Sequence, residues 1–123
     1  VKIYNDTTAT TPEATLAALA ALDPAHTVLI MGGADKNLNM DTLLAKLAEV
    51  KRTILLAGTG TSRILEFLPN ASVFDTLSAA VDEAFLTAES GDTILFSPAF
   101  TSFGMFKNEF DRGDQFNVLI KNL

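Results

Sequence analysis

The chain reads as an α/β protein: a three-layer, Rossmann-like domain over residues 1–123, with a mostly parallel, doubly wound sheet of about six strands. Three observations predict it. Apolar runs of strand length alternate with segments whose apolar residues recur at helical spacing. The runs are rich in Val, Ile and Leu and nearly continuous, as in strands covered by helices on both faces. Polar segments (NDTTAT, GGADKN and SPAFTS) follow three of the runs, and strand ends of this kind are where such sheets bind ligands.

The first strand is VKIY (1–4). Pro12, suited to a first helical turn, precedes a helix with Leu16, Leu19 and Ala20 on one face. TVLIMG (27–32) is the second strand, and a helix with Leu43, Leu44, Leu47 and Val50 follows Asp41. TILLAG (53–58) leads into GTGTSRI, where a Thr-Ser pair suits a helix cap. ASVF (71–74) precedes a helix after Asp75 carrying Leu77, Ala80, Val81, Ala84 and Phe85, and TILFS (93–97) is the fifth strand. Phe103, Phe106 and Phe110 predict a helix beginning after Ser102 and ending near Arg112, with Gly113 at its C′ position. Phe116, Leu119, Ile120 and Leu123 fit a closing helix, with a sixth strand through NVLI as the alternative.

Composition narrows the function. A chain of 123 residues is long enough to bury a core without disulfides or a structural metal. The absence of cysteine excludes thiol nucleophiles, thiolate metal sites and disulfides, and accords with a cytoplasmic location. A net charge of −6 opposes a broad nucleic-acid interface. No apolar run has the length of a membrane span, and no secretory signal pattern is present, so neither nucleic acid nor membrane is an expected partner. The chain opens directly on a strand at Val1, as expected of a domain excised from a longer polypeptide. His26, the single histidine, reads as a loop residue and makes no metal site or triad.

The chemistry sits in the three polar segments. Asn5, Asp6, Thr7, Thr8 and Thr10 offer more small polar groups than one helix cap requires, enough for a hydrogen-bonding shelf. Asp6 is suited to a ribose hydroxyl or a magnesium-bound water. GGADK lets the backbone approach a ligand closely and presents Lys36 as a cation, but matches neither GxGxxG nor a phosphate loop. Ser97, Thr101 and Ser102 surround Pro98, and a helix starting there would aim unpaired N–H groups at an anion. Arg112 has two open readings: pairing with Asp111 or Asp114, or reaching the site.

Taken in order, NDTTAT, GGADKN and SPAFTSFGMFKNEFDRGDQF resemble the three signature segments of the carboxyl-terminal domain of the Mur ligases, and the resemblance spans nearly the whole chain. It implies a domain that binds D-glutamate and closes over the active site of an ATP- and Mg2+-dependent ligase. That ligase adds D-glutamate to UDP-MurNAc-L-alanine through an acyl phosphate in peptidoglycan synthesis. By the same resemblance, Lys36 pairs with one carboxylate and Thr10 hydrogen-bonds beside it. Ser102 and the backbone at Phe103 bind the second carboxylate. Asp6 and Asn5 face the nucleotide, and Thr8, Ser97 and Phe110 are further candidate contacts. No catalytic residue and no metal or nucleotide is assigned to this domain alone. Domains upstream in the same chain would supply ATP and UDP-sugar binding, leaving the isolated domain inactive.

The sequence departs from the family at Thr8, where lysine is common, and at Glu109, where an aromatic is common. Two alternatives stand beside the leading one. One is a non-catalytic Rossmann-like module for an acidic small molecule or nucleotide; the other is a related amide ligase of the Mur or folylpolyglutamate type acting on another amino acid.

Overall fold

A computed structural model describes residues 1–123. Five parallel strands form one sheet: β1 (Lys2–Asn5), β2 (Thr27–Met31), β3 (Arg52–Leu56), β4 (Ser72–Phe74) and β5 (Thr93–Phe96). Their order is β1-β5-β2-β3-β4, so the last strand in sequence lies between the first two. Five α-helices connect and cover them: α1 (Pro12–Ala20), α2 (Asp41–Leu47), α3 (Thr59–Ile64), α4 (Leu77–Thr87) and α5 (Glu109–Lys121). The sheet has five strands rather than about six. The NVLI stretch belongs to α5, where Phe116, Leu119 and Ile120 share the face packed on the sheet.

The strands look uniformly apolar because both faces are buried, and their alternation splits them between two cores. Leu29, Met31, Leu55 and Leu95 point to one face with Leu19 of α1 and Leu43 and Leu47 of α2. Val28, Ile30, Ile54, Ile94 and Phe96 point to the other, under Leu77, Ala80, Val81 and Ala84 of α4 and Phe116 of α5. The Phe96 and Phe116 rings stack with centroids 4.6 Å apart, fixing α5 against β5. Each large side chain so buried contributes about 1.5–3 kcal/mol.

Caps set the helix starts. Thr11 accepts from Ala14 N ahead of Pro12, and Thr76 accepts from Ala79 N ahead of α4. The aromatic-spaced stretch after Ser102 is not a helix. Residues 103–108 are turns, Gly104 has φ 96°, and Asn108 caps α5 by accepting from Asp111 N. Arg112 and Gly113 therefore lie inside α5, not at a helix end. Thr61 and Ser62 are likewise within α3, donating back to the Leu56 and Gly58 carbonyls instead of capping it.

At the foot of the sheet, Asp92 is buried and accepts from Lys51 Nζ and from Glu89 N (2.9 Å), with His26 Nδ1 3.3 Å away. The Lys51 ammonium and then the Glu89 N–H hold the Asp92 carboxyl down to about 2. No helix is long and apolar enough to cross a membrane.

Candidate functional site

The insertion of β5 between β1 and β2 brings three loops together beyond the carboxyl ends of these strands. Loop 97–102 is in the middle and is tied by backbone hydrogen bonds to both neighbours. On one side Ala99 N donates to Ala9 O (2.9 Å) and Asp6 N donates to Phe96 O (2.7 Å). On the other, Gly32 N donates to Pro98 O (2.9 Å), while Ala34 and Thr101 exchange two bonds of 3.1 and 3.2 Å.

This stitching needs glycine at position 33, because a Cβ there would lie 2.5 Å from Thr101 O. Buried Ala99 is held at φ 65°, a left-handed conformation costing a non-glycine residue about 1 kcal/mol or more, and its bond to Ala9 helps to hold it there.

In the first loop, Asp6 accepts from Ser97 Oγ at 2.8 Å through Oδ2. Ser97 is wholly buried; Thr15 Oγ1 lies 2.9 Å from its hydroxyl and donates to its carbonyl at 3.2 Å. It therefore supports Asp6 from below rather than presenting a free hydroxyl to a ligand. Asn5 is also engaged by the fold: its amide donates to Gly113 O (3.0 Å) and Asn117 Oδ1 (2.9 Å), and its Oδ1 accepts from Thr7 N. Both amide hydrogens are occupied, leaving no N–H for a nucleotide. Thr8 is exposed and Thr10 half-buried.

In the second loop, Lys36 is exposed and takes part in none of the ion pairs of the chain. Its backbone is nonetheless anchored. Asp35 pairs with Arg63 at 3.0 Å, and its N–H donates to Thr59 Oγ1 at 2.9 Å. Asn37, at φ 60°, donates its N–H to Asp35 Oδ1 at 3.0 Å, and Arg63 reaches on to Leu38 O. With the turn braced, an anion meeting this ammonium would have to order the lysine side chain but not the backbone that carries it.

The third loop opens on a cleft of about 720 Å³ whose wall includes Gly33, Gly58, Asp75, Ser102, Phe106 and Arg112. Ser102 is almost buried, whereas Phe103 is 83% exposed beside it. Phe110, on the first turn of α5, is 65% exposed and lies outside the cleft wall. Another depression, of about 420 Å³, lies at the opposite end of the sheet around Phe67–Ala71 and Arg52, remote from the three loops.

The sequence left Arg112 with two readings, and the structure takes neither carboxylate pairing. The side chain is 1% exposed and forms no salt bridge. Nε donates to Thr7 Oγ1 (3.1 Å), Nη2 to Thr7 O (2.6 Å) and Nη1 to Phe100 O (3.0 Å). Thr7 Oγ1 in turn donates to Glu109 O at 2.7 Å. Burial pushes the guanidinium down to about 10, against the opposing pull of the Glu109 charge, so it stays protonated at neutral pH. The role of Thr7 was hidden in a run of five small residues, Thr7 to Thr11. No group of three His, Asp or Glu side chains converges as a metal site would require.

Comparison with known proteins bears on these loops. The model of a family described as "Mur ligase, glutamate ligase domain" matches residues 1–100. UDP-N-acetylmuramoylalanine--D-glutamate ligase of Borreliella burgdorferi (strain ZS7) is 43% identical over 130 residues, covering 100% of this chain and 29% of that protein. The protein of the same name from Roseiflexus sp. (strain RS-1) is 43% identical over 130 residues, with 99% of this chain and 28% of its own length covered. That of Treponema pallidum (strain Nichols) is 37% identical over 126 residues, covering 98% and 24%. The chain thus spans less than a third of the length of these curated relatives.

Proposed function

As the chain belongs to the Mur ligase, glutamate ligase domain family, we propose that it is the amino-acid-binding part of a ligase that joins D-glutamate to UDP-MurNAc-L-alanine in peptidoglycan synthesis. The observation that supports this is that the three loops bearing Thr10, Lys36 and Ser102 are tied to one another by backbone hydrogen bonds. A dicarboxylate asks for a cation, hydroxyls and free N–H groups in a fixed arrangement.

Lys36 pairs with one carboxylate of D-glutamate and Thr10 hydrogen-bonds beside it. The Ser102 hydroxyl and the N–H of Phe103 take the other carboxylate. The amine is thereby held towards the activated carboxyl of the second substrate. The domain contributes by orientation, which can supply several kcal/mol of a bimolecular barrier, and it supplies no nucleophile of its own. Asp6, aimed by Ser97, faces the nucleotide. ATP supplies the activation of the carboxyl, with Mg2+ balancing its phosphate charge. A single fixed carboxylate suits a supporting contact and not a complete metal site, so both are held chiefly by domains upstream in the same polypeptide. The 123 residues alone are inactive.

The test is phosphate release from ATP by the full-length polypeptide in the presence of UDP-MurNAc-L-alanine. Release that depends on D-glutamate and not on L-glutamate is the expected result. Equal response to both, or to a diamino acid instead, would overturn the assignment of the substrate. Turnover by the isolated 123 residues would overturn the division of labour.

A further inference from the structure

Arg112 is buried, yet no carboxylate of the chain forms a salt bridge with it. A buried cation of this kind is a poor source of stability, since removing it from water costs several kcal/mol and a carbonyl compensates less than a carboxylate. Its three bonds are distributed in an informative way. Two go to Thr7, three residues before Thr10, and one goes to Phe100, two residues before Ser102. We infer that Arg112 is a positioning residue for the amino-acid substrate, its planar fork setting the separation between the loop bearing Thr10 and the loop bearing Ser102.

The surrounding packing serves the same arrangement. Gly113 lets α5 approach the first loop, because a Cβ there would meet Thr7 Cγ2 at 2.5 Å. Asn5 holds the same stretch of α5 through Gly113 O and Asn117. Thr7 Oγ1 accepts from Arg112 while donating to Glu109 O, so its orientation is determined from both sides. Lysine would keep the charge but has no planar fork able to hold two carbonyls on different loops at once. Arg112 also forms part of the cleft wall with Ser102, so its charge is felt where an anion would sit.

This inference rests on the function proposed above, and the experiment separates the two. Steady-state kinetics of the full-length ligase are measured for wild type, Arg112→Lys, Thr7→Val and the double variant, varying D-glutamate, ATP and UDP-sugar in turn. Arg112→Lys is expected to raise KM for D-glutamate about tenfold or more, with kcat and the other two KM values within about threefold. Thr7→Val should act in the same direction by about threefold, and the double variant should fall short of the product of the two because they share one network. A proportional loss in all parameters, or an unchanged D-glutamate KM in a folded variant, would overturn the positioning role. Should Arg112→Lys fail to fold, Thr7→Val decides the matter: a D-glutamate KM raised more than the ATP and UDP-sugar KM values supports the role, and equal changes in all three overturn it. Wild-type turnover independent of D-glutamate would overturn the proposed function, and this inference with it.

Discussion

Ser97 Oγ donates to Asp6 Oδ2 at 2.8 Å, joining the end of the interior strand β5 to the loop that leaves the edge strand β1. The serine is wholly buried and the aspartate half-buried, so the bond aims a carboxylate upward from a rigid floor. Ser97→Ala removes the donor and leaves Thr15 Oγ1 without its neighbour. Urea denaturation should register a loss of about 1–3 kcal/mol. If Asp6 faces the nucleotide as proposed, KM for ATP should rise more than KM for D-glutamate in the full-length enzyme.

Lys36 has no ion-pair partner in the chain, so its substitution should leave stability nearly unchanged. Lys36→Met is expected to raise KM for D-glutamate about 10- to 100-fold, the loss of a charge-assisted bond to a carboxylate. Because the ammonium is exposed, the wild-type KM should also rise with ionic strength, and the variant should lose most of that dependence. A salt dependence that survived the substitution would assign it to another cation.

Asp92 imposes a pH dependence on folding. Its carboxyl is held near 2 in the fold, below its ordinary value of 3.8, mainly by Lys51 and the Glu89 N–H. A depressed acid adds stability above the unfolded pKa, so this contribution is intact at neutral pH. It drains away as pH falls from about 4 towards 2. Asp92→Asn should therefore be less stable at pH 7, with a flatter stability curve between pH 4 and pH 2, measured by urea titration at each pH.

Gly113 sets two effects of opposite sign against each other. Alanine in a helix interior gains about 0.5–1 kcal/mol over glycine. Here the new Cβ would meet Thr7 Cγ2 at 2.5 Å, and overpacking of that order costs about 1–3 kcal/mol. Thr7 cannot swing aside freely, being bonded to Arg112 and Glu109. The net expectation is destabilisation of Gly113→Ala by thermal and urea unfolding. A gain in stability would mean that the first loop yields easily.

The three loops that meet beyond the strand ends were legible as polar turns because each follows an apolar run and each is rich in small polar residues, as NDTTAT and GGADKN illustrate. The helix after Ser102 was misread for a definite reason. Phe103, Phe106 and Phe110 have helical spacing, but Gly104 at φ 96° and the Asn108 cap break the stretch, and spacing alone does not register a break. Ser97 looked like a ligand hydroxyl because sequence indicates residue type and not depth.

By itself, the sequence determined the alternation of strands and helices, the burial of both sheet faces and the position of the polar turns. All of these arise from local periodicity and backbone preference, which are written along the chain. Only the tertiary structure decided that β5 enters between β1 and β2, and with it which loops meet. The same holds for the burial of Arg112 between Thr7 and Phe100, where two of its three bonds span 105 residues of sequence. Such pairings depend on which surfaces pack together across the whole chain, and no local pattern encodes them.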